Sequence, residues 1–221
     1  QFKMEQPMIN LRVFKFSMFT LGVIMVFAAM MLILASAILL PLYLKGSLLL
    51  TAFTAGLVLL PGGLVNGLMS PFAGTLFDKY GPKFLVIPGF IMTTITTFFL
   101  SDITTTTSTT IIIILHTCLF IGIALIMMPA QTNGLNQLPP AFYPDGSAVM
   151  NTLSQIAGAI GTAVAVSIMA AGQENYNSNL KGMPNVETMA EALTAGIQNA
   201  FLFALIASII GLVVSLFVKR V

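Results

Sequence analysis

The chain has 221 residues, 57% of them hydrophobic and 7% charged, with a mean hydropathy of +0.98. Soluble domains carry about a quarter charged residues, so this chain lacks the charge to cover a water-exposed surface and reads as an all-α integral membrane protein. A net charge of +2 with no basic run among aromatics speaks against nucleic acid as a partner, and the single Cys118 excludes an internal disulfide and CxxC redox or metal chemistry.

Residues 1–17 contain QPMINLRVFKF, which mixes basic and bulky apolar side chains. This stretch is predicted to lie along the inner membrane face as an interfacial segment. The chain opens on Gln1, so the natural start is expected to lie upstream. Six spans are predicted after it, at about 18–40, 52–69, 84–100, 109–128, 148–171 and 197–218. Each is close to the roughly 20 apolar residues that cross hydrocarbon as a helix. None alternates with period two, which argues against a transmembrane barrel. The first span has basic residues before it and ASA at 35–37, but its apolar core runs on through ILLPLYL. A membrane span is therefore expected, rather than a cleaved leader.

In the second span Gly56, Gly63 and Gly67 fall on nearly one face, with Asn66 beside them. Close helix packing is the plain reading, and PGG at 61–63 offers a bend as the other. Then comes GTLFDKYGPK, residues 74–83, a tight knot of charge in a chain that avoids charge. Gly74 admits a close neighbour, and Asp78 is an acceptor for helix amides or a cation. Gly81 permits positive φ for a chain reversal, Pro82 suits the first turn of the next helix, and Lys79 and Lys83 hold the hairpin inside.

SDITTTTSTT reads as a short outer turn. His116 is the only histidine and lies in the fourth span, two residues before Cys118. An ionisable residue in a membrane is a functional candidate; a hydrogen-bonded structural histidine is the competing reading. The pair is too few ligands for a metal site. PAQTNGLNQLPPA, residues 129–141, reads as a polar inner loop and helix end that turns Gln131 and Asn133 to a cavity.

Asp145 is predicted to cap the fifth span. Along that span Asn151, Gln155, Gly158, Thr162 and Ala165 recur every three or four residues and share one helix face. Packing through small residues accounts for part of this stripe, and the wall of a substrate cavity for Asn151 and Gln155. Asn185 is predicted to cap a short outer helix leading into the sixth span. With the N-terminus inside, the inner side collects Lys3, Arg12, Lys15, Lys79, Lys83, Lys219 and Arg220, and the outer side only Lys45 and Lys181. The positive-inside rule then puts both termini in the cytoplasm.

The spacing G-x-x-x-D-K-x-G-x-K over Gly74–Lys83, between the second and third spans, resembles the loop motif of the major facilitator superfamily. LLPGGLVNGLMSPFAGTLFDKYGPK and GSAVMNTLSQIAGAIGTAVAV are similar to the second half of fourteen-span drug:proton antiporters, multidrug efflux permeases of the lincomycin-resistance type. The similarity covers nearly the whole chain. It departs at Pro82, where the fuller motif carries Arg, as second-half copies commonly do.

The resemblance implies one six-helix half-bundle that rocks against an N-terminal half-bundle. It implies export of amphipathic or cationic compounds across a bacterial cell membrane, driven by the proton gradient and needing no cofactor. Gly74, Asp78, Lys79, Gly81 and Lys83 would form a conformational loop motif in which Asp78 docks against a neighbouring helix end and helps hold one conformation. Asn66, His116, Gln131, Asn151 and Gln155 would line the pathway. His116 is the sole coupling candidate inside these spans, so the remaining coupling groups are expected in the other half. No HExxH, GxSxG or P-loop is present, so an enzyme is not expected. A non-transporting membrane scaffold or relic, or a metabolite carrier of the same superfamily, are the alternative readings.

Overall fold

The computed structural model describes residues 11–180 and 185–220. Lys3 and Lys181, both used to orient the chain, lie outside the described residues, as does most of the interfacial segment. After a 3-10 turn at Leu11–Lys15 come six helices: α1 (Ser17–Leu42), α2 (Ala52–Tyr80), α3 (Lys83–Leu100), α4 (Thr109–Asn136), α5 (Tyr143–Ser178) and α6 (Val186–Ser215). All six are long and apolar enough to cross a membrane. Helix is the form these segments take because lipid offers no partner for a free backbone amide.

The ends are set by local chemistry. Thr51 and Ser108 accept hydrogen bonds from the amides of Thr54 and Thr110, at 3.2 and 3.3 Å, and so start α2 and α4. Asn185 Oδ1 accepts from the Thr188 amide at 2.8 Å, while the Asn185 amide donates to Thr188 Oγ1 at 2.8 Å. This reciprocal box opens α6 as predicted, and the outer helix and the sixth span form one continuous helix. Asp145 is not the cap of α5. Phe142 holds that position and Asp145 sits in the first turn, where its charge still favours the helix dipole.

Several helices run past the apolar segments that announced them. α2 continues through Pro61 and Pro71 to Tyr80, so Gly74 and Asp78 lie on its last turns and not in a loop. α4 continues through Pro129 to Asn136, which makes most of the expected inner loop helical. The reason is physical. Hydropathy marks the hydrocarbon, about 30 Å thick, whereas a 29-residue helix such as α2 extends about 43 Å. The surplus turns stand in the headgroup region, where polar residues are cheap.

α1 and α4 pack together at the centre. α5 lies on α1 and α2 on α4; α3 backs α4, and α6 joins α3, α5 and α1. Glycines set the closest crossings. A methyl carbon placed on Gly89 would lie 2.8 Å from the Gly122 carbonyl oxygen, and one on Gly122 would lie 2.9 Å from that of Gly89. Gly172 faces Gly196 between α5 and α6, and Gly161 faces the Met31 backbone between α5 and α1. Helices without a hydrophobic drive between them gain by such close backbone approach.

Two large apolar cores and a small one of Ala73, Phe77 and Leu85 fill the bundle among the described residues. One, around Tyr43, Leu100, Ile112 and Phe201, serves the end that carries the α3–α4 turn. The other, around Phe19, Phe90, Met150 and Val218, serves the end that carries the α2–α3 reversal. The first end is pinned by Tyr43 Oη donating to the Thr104 carbonyl (2.6 Å) and Gln198 Nε2 donating to that of Ile103 (2.7 Å). Tyr176 Oη also donates to Glu191 Oε2 at 2.6 Å, joining α5 to α6. At the second end Gln137 Oε1 accepts from the amides of Met18 and Phe19, at 2.6 and 3.2 Å.

Candidate functional site

The predicted pathway residues separate into two groups. Asn66 and His116 both engage Phe120, at the contact of α2 with α4. Asn66 Nδ2 donates to the Phe120 carbonyl at 3.1 Å, and the His116 ring lies over that of Phe120, centroids 4.6 Å apart. His116 is only 6% exposed. Its Nδ1 is buried without a hydrogen-bond partner among the described residues. The ring occupies a notch made by Gly62, where an added carbon would overlap the imidazole and lie 2.7 Å from Cε1. Gly62→Ala is therefore expected to destabilise the bundle by about 1–3 kcal/mol, read as a lower thermal midpoint in detergent. Adding His116→Ala should recover most of that loss; costs that simply add would show that the ring does not fill the notch.

The other glycines of α2 behave differently from the packing reading. Gly56, Gly63 and Gly67 are exposed, and an added carbon on any of them meets nothing within 4 Å. They belong to an open apolar face with Phe53, Leu57, Leu60, Leu64 and Leu68. Of the six candidate spans, α2 is the least buried.

On α5 the predicted stripe divides. Gly158 and Ala165 are buried and Thr162 is half-buried, with Gly158 packed on Leu34 of α1. Asn151 and Gln155 are exposed. Helical drift is only about 20° per heptad, so the two ends keep one face; the small end is covered because Leu34 of α1 packs on Gly158, while the polar end is left open. Gln155 lies about 18 Å along α5 from Tyr143, which places it within the apolar stretch if the helix is centred in the bilayer. An unpartnered amide facing lipid there is unfavourable, so this face points to water or to further protein. Gln131 on α4 is half-exposed, whereas Asn133 is buried and turned inward, where its Nδ2 donates to the Lys219 carbonyl at 3.0 Å. The cavity orientation expected for Asn133 is thus corrected.

The hairpin between α2 and α3 is a two-residue reversal, Gly81–Pro82. Gly81 has φ of +80°, the conformation its lack of a side chain permits. Gly74 abuts the tip of Met128, with an added carbon 3.2 Å from Cε. Asp78, Lys79 and Lys83 are exposed, and Lys79 Nζ lies 5.1 Å from the centre of the Tyr80 ring. The Asp78 carboxylate makes no hydrogen bond or ion pair among the described residues, but its backbone carbonyl accepts from Arg220 Nη2 at 2.9 Å. Sequence reading counted Arg220 and Gln137 only as an inside charge and a loop polar group. No local pattern announces their tertiary contacts.

The ends of the bundle differ in charge. Arg12, Lys15, Lys79, Lys83, Lys219 and Arg220 gather at the hairpin end with Asp78 and Asp145. Lys45 stands at the other end with Asp102, Glu174, Glu187 and Glu191. Among the described residues no three His, Cys, Asp or Glu side chains approach one another as metal ligands.

Six membrane-length helices and a charged hairpin after the second helix define a polytopic α-helical membrane protein. Residues 3–162 match the Major Facilitator Superfamily, and the chain belongs to that family. It is 66% identical over its whole length to the lincomycin resistance protein LmrB of Bacillus subtilis strain 168, covering 46% of that protein. The LmrB of Listeria monocytogenes serovar 1/2a is 61% identical over 220 residues, again with 46% of the relative covered. The multidrug export protein EmrB of Escherichia coli K12 is 27% identical over 195 residues, which are 86% of this chain and 38% of EmrB. The chain thus spans about half the length of the curated relatives it matches.

Proposed function

We propose that this chain is the second half of a transporter that exports drugs or other amphipathic and cationic compounds by proton antiport and alternating access. The observation that carries this reading is the outward-facing amide pair Asn151 and Gln155, with the exposed Thr152 beside them, on a helix of membrane-spanning length. A water-filled path against a first half-bundle gives those amides a partner that lipid does not. The open glycine face of α2 supplies a second surface for that half, because small residues admit close helix approach. The names of the relatives, a lincomycin resistance protein and a multidrug export protein, support the class of substrate.

In this reading the hairpin end, with its excess of lysine and arginine, faces the cytoplasm of a bacterial cell. His116 is the titratable group placed within the spans to take part in proton coupling, together with groups from the first half. The Asp78 carboxylate docks on a helix end of that half and holds one conformation of the cycle. No covalent step is involved.

The test is efflux of a fluorescent cationic dye from cells that express the complete transporter. Expressing cells should lose dye several times faster than empty cells, and a proton uncoupler should abolish the difference. The chain produced alone should give no efflux. Equal dye loss in expressing and empty cells would leave the non-transporting scaffold as the better account.

A further inference from the structure

We propose that Arg220 is a positioning residue for the α2–α3 hairpin, and that the segment after α6 is a clasp that fixes how the hairpin presents Asp78. The proposal rests on the transport reading above for the role of Asp78, and on geometry alone for the clasp.

Beyond Ser215 the chain leaves α6 and crosses the hairpin end of the bundle. Val218 is 2% exposed and sits in the core with Val13, Phe19 and Val86. The next residue is held from two sides. Its carbonyl accepts from Asn133 Nδ2 of α4 at 3.0 Å, and its amide faces Met18 Sδ of α1 at 3.3 Å. This fixed backbone aims Arg220 at the hairpin, where Nη2 donates to the Asp78 carbonyl at 2.9 Å.

Gly81 accommodates the same arm. A carbon added there would lie 3.2 Å from Arg220 Cδ, and the φ of +80° disfavours any side chain. The clasp therefore joins α1, α4 and the end of α2 through one short segment. Arg220 engages the main chain of residue 78 and leaves its carboxylate outward. A guanidinium with five donors in a rigid fork suits this better than a lysine, whose flexible stem carries a point charge. The hairpin is thus held by a residue far from it in sequence, while the docking carboxylate stays available for the first half.

The experiment uses the complete transporter with Cys118→Ser and a reporter cysteine, Pro82→Cys, because Pro82 is buried and its backbone is one that cysteine adopts. The readout is the rate of labelling by a membrane-impermeant maleimide added from the hairpin side of inverted vesicles. The clasped parent should label slowly. Arg220→Ala should label about tenfold faster, the change that about 1.4 kcal/mol gives, with Arg220→Lys in between. Arg220→Ala should give the same increase in an Asp78→Asn background, since the clasp uses the carbonyl of that residue. Equal rates in the parent and in Arg220→Ala would overturn the clasp, even if Asp78→Asn stops dye efflux. Faster labelling in Arg220→Ala with unimpaired efflux in Asp78→Asn would keep the clasp and remove the transport role of the carboxylate.

Discussion

Gly196→Val is expected to remove most folded protein from the membrane. A carbon on Gly196 would overlap the Met169 carbonyl oxygen and would lie 3.1 Å from the Met169 carbonyl carbon and 3.2 Å from the Gln173 amide. All of these are backbone atoms of α5, so no side chain can move to relieve the overlap. Gly172 faces the same crossing from the other helix, where an added carbon would lie 2.9 Å from Gly196 Cα. Overpacking a well-filled interior costs about 1–3 kcal/mol and more where backbone must shift. Two β-branched methyls at this crossing exceed that range. The α5–α6 contact, one of the most extensive in the bundle, would have to open.

Gly63→Val is the informative companion. Its added carbon meets nothing within 4 Å, so the bundle should fold in normal yield. Efflux should nonetheless fall, because the face of α2 that carries Gly63 is proposed to meet the first half-bundle. Monodisperse yield of a fluorescent fusion in detergent reads the first effect, and dye efflux at matched expression reads the second. Normal yield for Gly196→Val would contradict the packing described for α5 and α6.

Asp78→Asn is expected to give the largest loss of transport that leaves the fold intact. Asparagine keeps the size of the side chain and the backbone carbonyl that Arg220 engages. It removes the charge, which no partner among the described residues uses. A hydrogen bond to a charged group is worth about 1.5–3 kcal/mol. Losing one that forms in a single conformation shifts the balance of states by about 10- to 100-fold. Dye efflux should fall accordingly while yield and thermal midpoint stay unchanged. Full efflux at equal expression would remove the conformational role assigned to the hairpin.

Much of this was legible in the sequence because lipid imposes simple rules. The apolar runs of membrane length appear as six helices, and Gly81 of GTLFDKYGPK takes the positive φ that reverses the chain between α2 and α3. The Asn185 cap was legible because its chemistry is local. The helix ends were less so: polar turns beyond the hydrocarbon, such as Ser70–Tyr80 and Pro129–Asn136, look like loops to a hydropathy reading yet continue the helix.

Residue environment was harder still. Spacing placed Asn151, Gln155, Gly158 and Ala165 on one face, but only packing against Leu34 separates the buried glycine from the open amides. Likewise Gly62 and Gly63 are neighbours in sequence, and one receives His116 while the other is bare. Arg220 reaching Asp78, and Asn133 reaching Lys219, join residues that no local pattern relates.

The central claim is that the exposed amide face of α5 meets a water-filled path and not lipid. It is tested by introducing Gln155→Cys or Ile209→Cys into the complete transporter lacking Cys118, and by measuring reaction with a charged, membrane-impermeant thiol reagent. Both positions are exposed in this bundle. The reagent requires water, so Gln155→Cys should react and be protected by a transported dye, while Ile209→Cys on α6 should stay unreacted. No reaction at Gln155→Cys in any condition, matching Ile209→Cys, would contradict the account.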